Sequence, residues 1–199
     1  MKLILVRHGE TYWNEEGRIQ GGASDIALNN TGLEQAQRLA AFLAKEPIVA
    51  IFSSPLQRAV ATAEVIASHH GLPVEVDERL AELKVGDLEG IPVSSLRTTF
   101  SQFVMQWWQA GEAMKLPNGE SLADLQQRAW KVVELLLEKH RGETALVVSH
   151  YFVILAIILK ALDLPMDRII NFKVDPAGVS VLEFRDYAAR LVTFNDTSY

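Results

Sequence analysis

Short apolar runs followed by helical segments are the feature that most restricts the fold of this chain. Residues 3–6, 48–52 and 144–149 form three such runs, and none is long enough to cross a membrane. Runs of this length and hydrophobicity are typical of strands that are buried on both faces of a parallel sheet. Because helices are predicted between them, the sequence predicts an α/β fold, a three-layer α/β/α sandwich with a mostly parallel central sheet.

Helical periodicity and capping residues predict the other elements. Thr31 and Glu34 have the spacing of a capping box and predict a helix over residues 31–44. Pro55 is predicted at the first position of the next helix, where proline is favoured. Further helices are predicted over residues 93–110, 121–140 and 151–162, and further strands over residues 74–76, 172–174, 178–184 and 190–194, the last two as a hairpin.

The composition limits the class of partner. With 199 residues the chain fits one domain, residues 1–199, and its net charge of −6 gives no electrostatic support for binding to nucleic acid. The sequence has no cysteine, which excludes disulfides and thiol catalysis. The N-terminal apolar run is too short for a signal peptide, and polar side chains interrupt residues 145–164, so no membrane anchor is predicted. We therefore expect a cytoplasmic protein, and the sequence leaves both a monomer and a homodimer open.

Titratable side chains follow the three predicted inner strands. Arg7 and His8 follow the first, His150 follows the last, and Arg58 lies in the first turn of the helix after the middle one. The carboxyl ends of neighbouring parallel strands lie at one edge of a sheet, where ligands bind in open α/β folds. Each residue alone has a structural explanation, such as a strand cap or a solvated charge. Two guanidinium groups, two imidazoles and a helix N-terminus at one edge predict an anion site.

Five motifs occur in order along the chain. They are RHGET at residues 7–11 with Asn14 and GRIQG at 17–21, SSPLQRA at 53–59, LAE at 80–82 with EG at 89–90, PNGES at 117–121, and VVSH at 147–150. In this order and spacing they closely resemble the histidine phosphatase (phosphoglycerate mutase-like) superfamily. The resemblance spans nearly the whole chain and implies phosphoryl transfer through a phosphohistidine.

The resemblance also implies roles for individual residues. His8 would be the nucleophile that takes the phosphoryl group from a small-molecule phosphate monoester, and Glu82 the acid that protonates the leaving oxygen. No metal ion or other cofactor is implied, and the sequence has no aspartate-rich cluster of the kind that holds catalytic magnesium. The residues expected to contact the phosphoryl oxygens are Arg7, Arg58, His150, Asn14, Gln20, the backbone of Gly21 and the amide of Tyr151.

This chemistry sets conditions on the nucleophile and the acid. Neutral imidazole is abundant near pH 7, so His8 needs no activating base. Its other nitrogen must donate a hydrogen to a fixed acceptor, for which a main-chain carbonyl is predicted, while Arg7 and Arg58 disfavour the imidazolium. Burial is expected to raise the pKa of Glu82 towards neutrality, as a general acid requires. Glu89 is the alternative acid, and Glu82 better matches the family position.

The segment after Glu82 favours a phosphatase over a mutase. Glycolytic mutases of the family carry Glu-Arg-His-Tyr-Gly there, whereas residues 82–86 of this chain are Glu-Leu-Lys-Val-Gly. Tyr151 and Phe152 stand where the family usually has glycine after its second histidine, which bears on substrate preference. A lid-like helical subregion with an apolar lining is predicted at about residues 91–120. Its aromatic residues are Phe100, Phe103, Trp107 and Trp108.

The function expected from the sequence is a metal-independent phosphatase that acts on a small phosphorylated metabolite. Two alternatives stay open: a phosphoglycerate mutase-type phosphomutase, and a catalytically silent relative that binds a phosphorylated ligand. A pure binder would not need the acid at Glu82, which argues against the second alternative. Phosphatases directed at α-ribazole phosphate or phosphoserine, and broad-specificity members, all resemble this chain.

Overall fold

The structure, a computed structural model, describes residues 1–99, 101–102, 105, 111–185 and 188–199. Within these residues the strands are β1 (Lys2–Arg7), β2 (Ile48–Ser53), β3 (Val74–Val76), β4 (Thr144–Ser149), β5 (Val179–Arg185) and β6 (Ala188–Asp196). The helices are α1 (Tyr12–Glu15), α2 (Asn30–Leu43), α3 (Gln57–His70), α4 (Leu122–Lys139) and α5 (Tyr151–Ala161). Short 3₁₀ helices lie at Glu78–Leu80, Gly86–Leu88, Val93–Arg97 and Met166–Asn171.

The strands form one sheet in the order β3-β2-β4-β1-β5-β6. β1 runs parallel to β4, and β2 runs parallel to both β4 and β3. β5 pairs antiparallel with β1 and with β6, which confirms the predicted hairpin. The predicted α/β fold with a mostly parallel sheet is confirmed, and the carboxyl ends of β2, β4 and β1 lie side by side.

Alternate residues of β1 face the two helical layers. Leu3 and Leu5 are buried in a core cluster with residues of α4 and α5. Ile4 and Val6 are buried in a second cluster with residues of α2 and α3. Every residue of β4 is buried, which explains why its sequence is a continuous apolar run and does not alternate between apolar and polar residues.

Two helices begin at residues other than those predicted. The side chain of Asn29 caps α2, because its Oδ1 accepts from the amide of Gly32 at 2.8 Å. The capping box predicted at Thr31 is therefore wrong, since asparagine already supplies the cap. α3 begins two residues after Pro55, and its first amide donates to Oδ1 of Asp25 at 2.8 Å. That cap comes from a distant segment, which helical periodicity does not reveal.

The strand predicted over residues 172–174 is also wrong. The carbonyl of Phe172 accepts from the hydroxyl of Tyr151 at 2.8 Å, and the carbonyl of Val174 accepts from Nη1 of Arg7 at 2.6 Å. These carbonyls bind side chains instead of a neighbouring strand, so an extended apolar segment is left outside the sheet.

The predicted helix over residues 93–110 begins as the 3₁₀ helix Val93–Arg97 instead of an α-helix. Phe100, Phe103, Trp107 and Trp108, the aromatic residues of the predicted lid, lie outside the described residues. α1 was not predicted; Thr11 and Asn14 form a capping box around this single turn. In the described part of the chain, no helix has the length and hydropathy needed to cross a bilayer.

Candidate active site

The ends of three parallel strands bring the predicted site residues together. The amide of His8 donates to the carbonyl of Ser149 at 3.0 Å, which ties the end of β1 to the end of β4. The amide of Ser54, directly after β2, donates to the carbonyl of Val148 at 3.0 Å. The rings of His8 and His150 consequently lie close together, with 5.1 Å between their centroids.

The main chain fixes the tautomer of His8. Its Nδ1 lies 2.7 Å from the carbonyl oxygen of Gly9, and because a carbonyl only accepts, Nδ1 carries the hydrogen. In the neutral ring Nε2 is then unprotonated. Burial, followed by the charges of Arg58 and Arg7, holds the pKa of His8 well below its usual value. The predicted main-chain acceptor is confirmed, and Nε2 keeps a free lone pair at neutral pH.

Arg7 is a partly buried cation and Arg58 a buried one, and main-chain carbonyls hold both. Nη1 of Arg7 donates to the carbonyl of Val174 at 2.6 Å. Nη1 and Nη2 of Arg58 donate to the carbonyls of Ser24 and Gly21 at 2.8 and 3.1 Å. Burial lowers the pKa of Arg58 to about 10, so the guanidinium stays charged near pH 7. Nε of both arginines is buried and has no hydrogen-bond partner within the described ranges, a costly arrangement unless an anion pairs with it.

His150 contributes another unpaired nitrogen. Its Nε2 lies 2.6 Å from Oγ of Ser54, and that oxygen also accepts from the amide of Leu56 at 3.3 Å. Its Nδ1 is buried without a partner among the residues that the structure describes. Burial, followed by the charge of Arg58, holds the pKa of His150 well below its usual value, so this ring is also neutral at pH 7.

Glu82 is a buried carboxyl that borders the same cavity as His8. Its Oε1 accepts from the amide of Leu83 at 2.7 Å, and its Oε2 accepts from the amide of Phe152 at 3.3 Å. Burial raises the pKa of Glu82, although these two hydrogen bonds and the charges of Arg58 and Arg7 act in the opposite direction. A carboxyl with a raised pKa can hold a proton closer to neutrality and release it to a leaving group.

Two of the three residues predicted to contact phosphate between α1 and Gly21 line the cavity. They are Asn14, on α1, and Gln20, in the segment after it. Oε1 of Gln20 accepts from the hydroxyl of Thr11 at 2.8 Å, and its Nε2 is buried and unpaired within the described residues. Gly21 differs, because its amide donates to Oε1 of Glu89 at 2.9 Å. The Gly21 amide is therefore not free to contact phosphate as predicted, and Glu89 orients this segment.

A cavity of about 500 Å³ lies against part of this site, and Arg58 and His150 are not among the residues that line it. Arg7, His8 and Glu82 form part of its wall, and most of the remaining wall is apolar. Tyr151 also lines it, with the hydroxyl bound to the carbonyl of Phe172 and the ring 5.6 Å from the guanidinium carbon of Arg7. A cavity of this size accommodates a small organic ligand.

Comparison with known proteins identifies the family. Residues 3–197 match the model of the histidine phosphatase superfamily (branch 1). The chain belongs to this superfamily. A probable phosphoglycerate mutase GpmB from Yersinia pestis (strain Pestoides F) is 34% identical over 186 residues, which cover 94% of this chain and 86% of that protein.

Solved structures of phosphatases share the fold of this superfamily member. Mycobacterial glucosyl-3-phosphoglycerate phosphatase in complex with VO₃ aligns with a TM-score of 0.89 at 29% identity, covering 98% of this chain and 99% of that chain. A phosphoserine phosphatase mutant from Entamoeba histolytica in complex with phosphoserine aligns with a TM-score of 0.87 at 30% identity, covering 99% and 98%.

The segment that carries Glu82 is held from below by an arginine that was not predicted as a functional residue. Arg128, on α4, donates to the carbonyls of Arg79, Ala81 and Glu82 at 2.8, 2.6 and 3.1 Å. It also forms two hydrogen bonds with the carboxylate of Glu120, at 3.0 and 2.6 Å. In the sequence, Glu120 stands out only as part of the PNGES motif. Nothing in the sequence distinguishes Arg128 from an ordinary charged residue on a helix surface.

The described residues contain no group of three or more histidine, cysteine or acidic side chains placed to hold a metal ion.

Proposed function

We propose that this member of the histidine phosphatase superfamily is a phosphomonoesterase that acts on a small phosphorylated metabolite through a phosphohistidine. The observation that carries the proposal is a set of buried, unpaired nitrogens around an imidazole whose Nε2 is unprotonated. A phosphoryl group would bring oxygens for these nitrogens and a phosphorus atom for Nε2. Within the described residues the nitrogens are Nε of Arg7, Nε of Arg58, Nδ1 of His150 and Nε2 of Gln20.

In the first step, Nε2 of His8 forms a bond to phosphorus while the bond from phosphorus to the leaving oxygen breaks. The transferred group spreads its charge over three equatorial oxygens, so positioned cations and N–H donors supply most of the stabilisation. Arg7 and Arg58 supply the positive charge. His150 donates from Nδ1 when the hydroxyl of Ser54 donates to its Nε2. Glu82, which burial favours in its protonated form, passes its proton to the leaving oxygen.

In the second step, the Glu82 carboxylate takes a proton from a water molecule, and the water oxygen attacks phosphorus. The bond between phosphorus and Nε2 of His8 breaks, which releases orthophosphate and restores the neutral imidazole. Glu82 regains the proton that it gave up, so the cycle closes with no metal ion and no cofactor.

The similarity to a probable phosphoglycerate mutase makes a phosphomutase the second candidate. A mutase must hold the acidic group of its substrate and keep water away while the phosphoryl group stays on histidine. The residues that follow Glu82 are leucine, lysine and valine, and Lys84 among them is exposed. This segment therefore favours hydrolysis over transfer between hydroxyl groups.

Hydrolysis of p-nitrophenyl phosphate, with and without EDTA, tests the proposed function. We expect equal turnover in both conditions and a loss of at least about a thousandfold in His8→Ala. His69→Ala, at an exposed position near the end of α3, is the matched control and should keep wild-type turnover.

Other outcomes would support other functions. No turnover by the wild-type protein would support a silent binder, and loss of turnover in EDTA would contradict the metal-independent scheme. Interconversion of 3- and 2-phosphoglycerate that outpaces phosphate release would support the mutase.

A further inference from the structure

Beyond the phosphate-binding groups, most of the residues that line the cavity are apolar. Val85 and Leu116 line it and belong to the buried core behind it. Leu96, Tyr151 and Phe152 line it and pack against the same core. The alcohol part of a substrate would therefore contact a surface that is continuous with the hydrophobic core.

A second anionic group on the substrate would find little to bind. Among the described residues that line the cavity, the basic ones are Arg7 and Arg18. Arg18 has an exposed side chain, whose Nε lies 2.5 Å from a carboxylate oxygen of Glu16 and whose Nη1 donates to the carbonyl of Gly90 at 3.2 Å. Arg7 lies beside the nucleophile and binds the phosphoryl group in the proposed reaction.

Two adjacent aromatic residues, Tyr151 and Phe152, form the part of the wall next to Arg7 and Glu82. The hydroxyl of Tyr151 donates to the carbonyl of Phe172 at 2.8 Å, so the residue presents its ring rather than a free polar group. The ring of Phe152 meets the ring of Tyr151 edge-on, with 5.2 Å between centroids and an angle of 78°. The amide of Phe152 binds Glu82, which places this ring beside the acid that protonates the leaving oxygen.

From these contacts we infer that the preferred substrates are phosphate monoesters of uncharged, largely apolar alcohols, and that the wall formed by Val85, Leu96, Leu116, Tyr151 and Phe152 selects them. This inference rests on the proposed phosphatase function. A cavity of about 500 Å³ holds an alcohol of many carbon atoms together with the phosphate. Phosphate esters whose alcohol carries a carboxylate, such as 3-phosphoglycerate and phosphoserine, are disfavoured because the carboxylate would lose water against the apolar wall, while the remaining basic side chain among the described lining residues, Arg18, is exposed and pairs with Glu16.

A series of n-alkyl phosphates from ethyl to hexyl tests this inference, because the leaving alcohols differ in apolar length and hardly in basicity. Each of the four added methylenes, buried against the wall at about 0.8 kcal/mol, should raise kcat/KM about fourfold, on the order of 200-fold over the series. The same preparations are assayed with p-nitrophenyl phosphate, 3-phosphoglycerate and phosphoserine. We expect hexyl phosphate to exceed both carboxylated esters in kcat/KM.

The ratio of kcat/KM for hexyl phosphate to kcat/KM for ethyl phosphate is measured within each variant. It measures how strongly the wall prefers a longer alkyl chain, independently of the overall activity of the variant. Phe152→Ala and Leu96→Arg should each lower this ratio about tenfold, and Leu96→Arg should also raise turnover of 3-phosphoglycerate relative to hexyl phosphate. Val192→Arg, at an exposed apolar position on β6, is the control and should leave the ratio unchanged.

The outcomes separate the two proposals. If p-nitrophenyl phosphate is not hydrolysed, the proposed function itself fails. If it is hydrolysed but the alkyl series is flat, or a carboxylated ester is preferred, the function stands and the inference about apolar alcohols is overturned. If kcat/KM rises steeply with alkyl length but Phe152→Ala and Leu96→Arg leave the hexyl-to-ethyl ratio unchanged, these wall residues do not select the substrate, and that part of the inference is overturned.

Discussion

Removing the guanidinium of Arg128 should destabilise the protein far more than loss of an ordinary helical surface charge. In Arg128→Met, three main-chain carbonyls lose the donor that Arg128 supplies, and the carboxylate of Glu120 keeps only the amide of Lys84 as a donor within the described residues. The Arg128 and Glu120 side chains are 21% and 12% exposed, so water replaces the lost hydrogen bonds only in part. Breaking a fully buried pair costs about 3–5 kcal/mol. Because this pair is not fully buried, we expect the free energy of unfolding to fall by about 3 kcal/mol.

Urea denaturation followed by circular dichroism measures this loss, and Tm should fall by about 6–12 °C. Lys131→Met, at an exposed position on the same helix, is the matched control and should change stability by no more than about 0.5 kcal/mol. A double-mutant cycle with Glu120→Gln should give a coupling energy of about 1–3 kcal/mol. A loss below about 1 kcal/mol with no coupling, as for exposed ion pairs, would refute the reasoning.

Three further predictions concern the acid, the buried imidazoles and one glycine. Glu82→Gln should lower kcat for alkyl phosphates about 10²–10⁴-fold while sparing p-nitrophenyl phosphate, whose leaving group needs little protonation; equal losses for both would place the acid elsewhere. Since His8 and His150 have pKa values below the value of about 6.5 in unfolded chains, the unfolded state binds more protons in acid. The free energy of unfolding should therefore fall as the pH drops below about 6.5, with a slope approaching about 2.7 kcal/mol per pH unit. The raised pKa of Glu82 has the opposite sign and offsets part of this loss as the pH falls through that pKa. His150→Gln should halve the part of this slope that comes from the two histidines. Urea titrations between pH 7 and 5.5 in which the variant shows the wild-type slope would contradict this prediction. Gly86→Ala places a Cβ 1.8 Å from a carbonyl oxygen at φ +56°, whereas Gly142→Ala has open space at φ +77°. The first should destabilise by at least about 3 kcal/mol and the second by about 1–2 kcal/mol, and equal losses in urea titrations would show that the close contact is relieved.

The order of elements and the edge of the sheet that holds the site were predictable because both depend on local patterns. Residues 144–149 are buried on both faces of the sheet, and their hydrophobicity shows this directly. The positions of His8 and His150 follow from the strands that precede them. Even the carbonyl that fixes the tautomer of His8 could be anticipated, since neutral imidazole in a nucleophilic role needs an acceptor for its other hydrogen.

The errors arose where one segment supplies a partner to another. The carbonyl of Val174 binds Arg7 instead of a strand, so an extended segment with strand-like composition is not in the sheet. Asp25 caps α3 from outside the helix, and Glu89 takes the amide of Gly21 that was assigned to phosphate. Arg128 has the same character, because its importance lies in carbonyls about fifty positions away in sequence. Such contacts leave no periodic signal in the sequence.

The most direct test of the central claim is to locate the phosphate on the protein during turnover. Glu82→Gln, which should slow hydrolysis of the intermediate, is mixed with p-nitrophenyl phosphate, quenched rapidly in alkali to preserve phosphohistidine, and digested for mass spectrometry. The account predicts phosphate on His8, none on His150, and none in a His8→Ala sample treated in the same way. Phosphate on His150, or steady turnover of the wild-type protein with no phosphorylated histidine under conditions where formation outpaces hydrolysis, would contradict it.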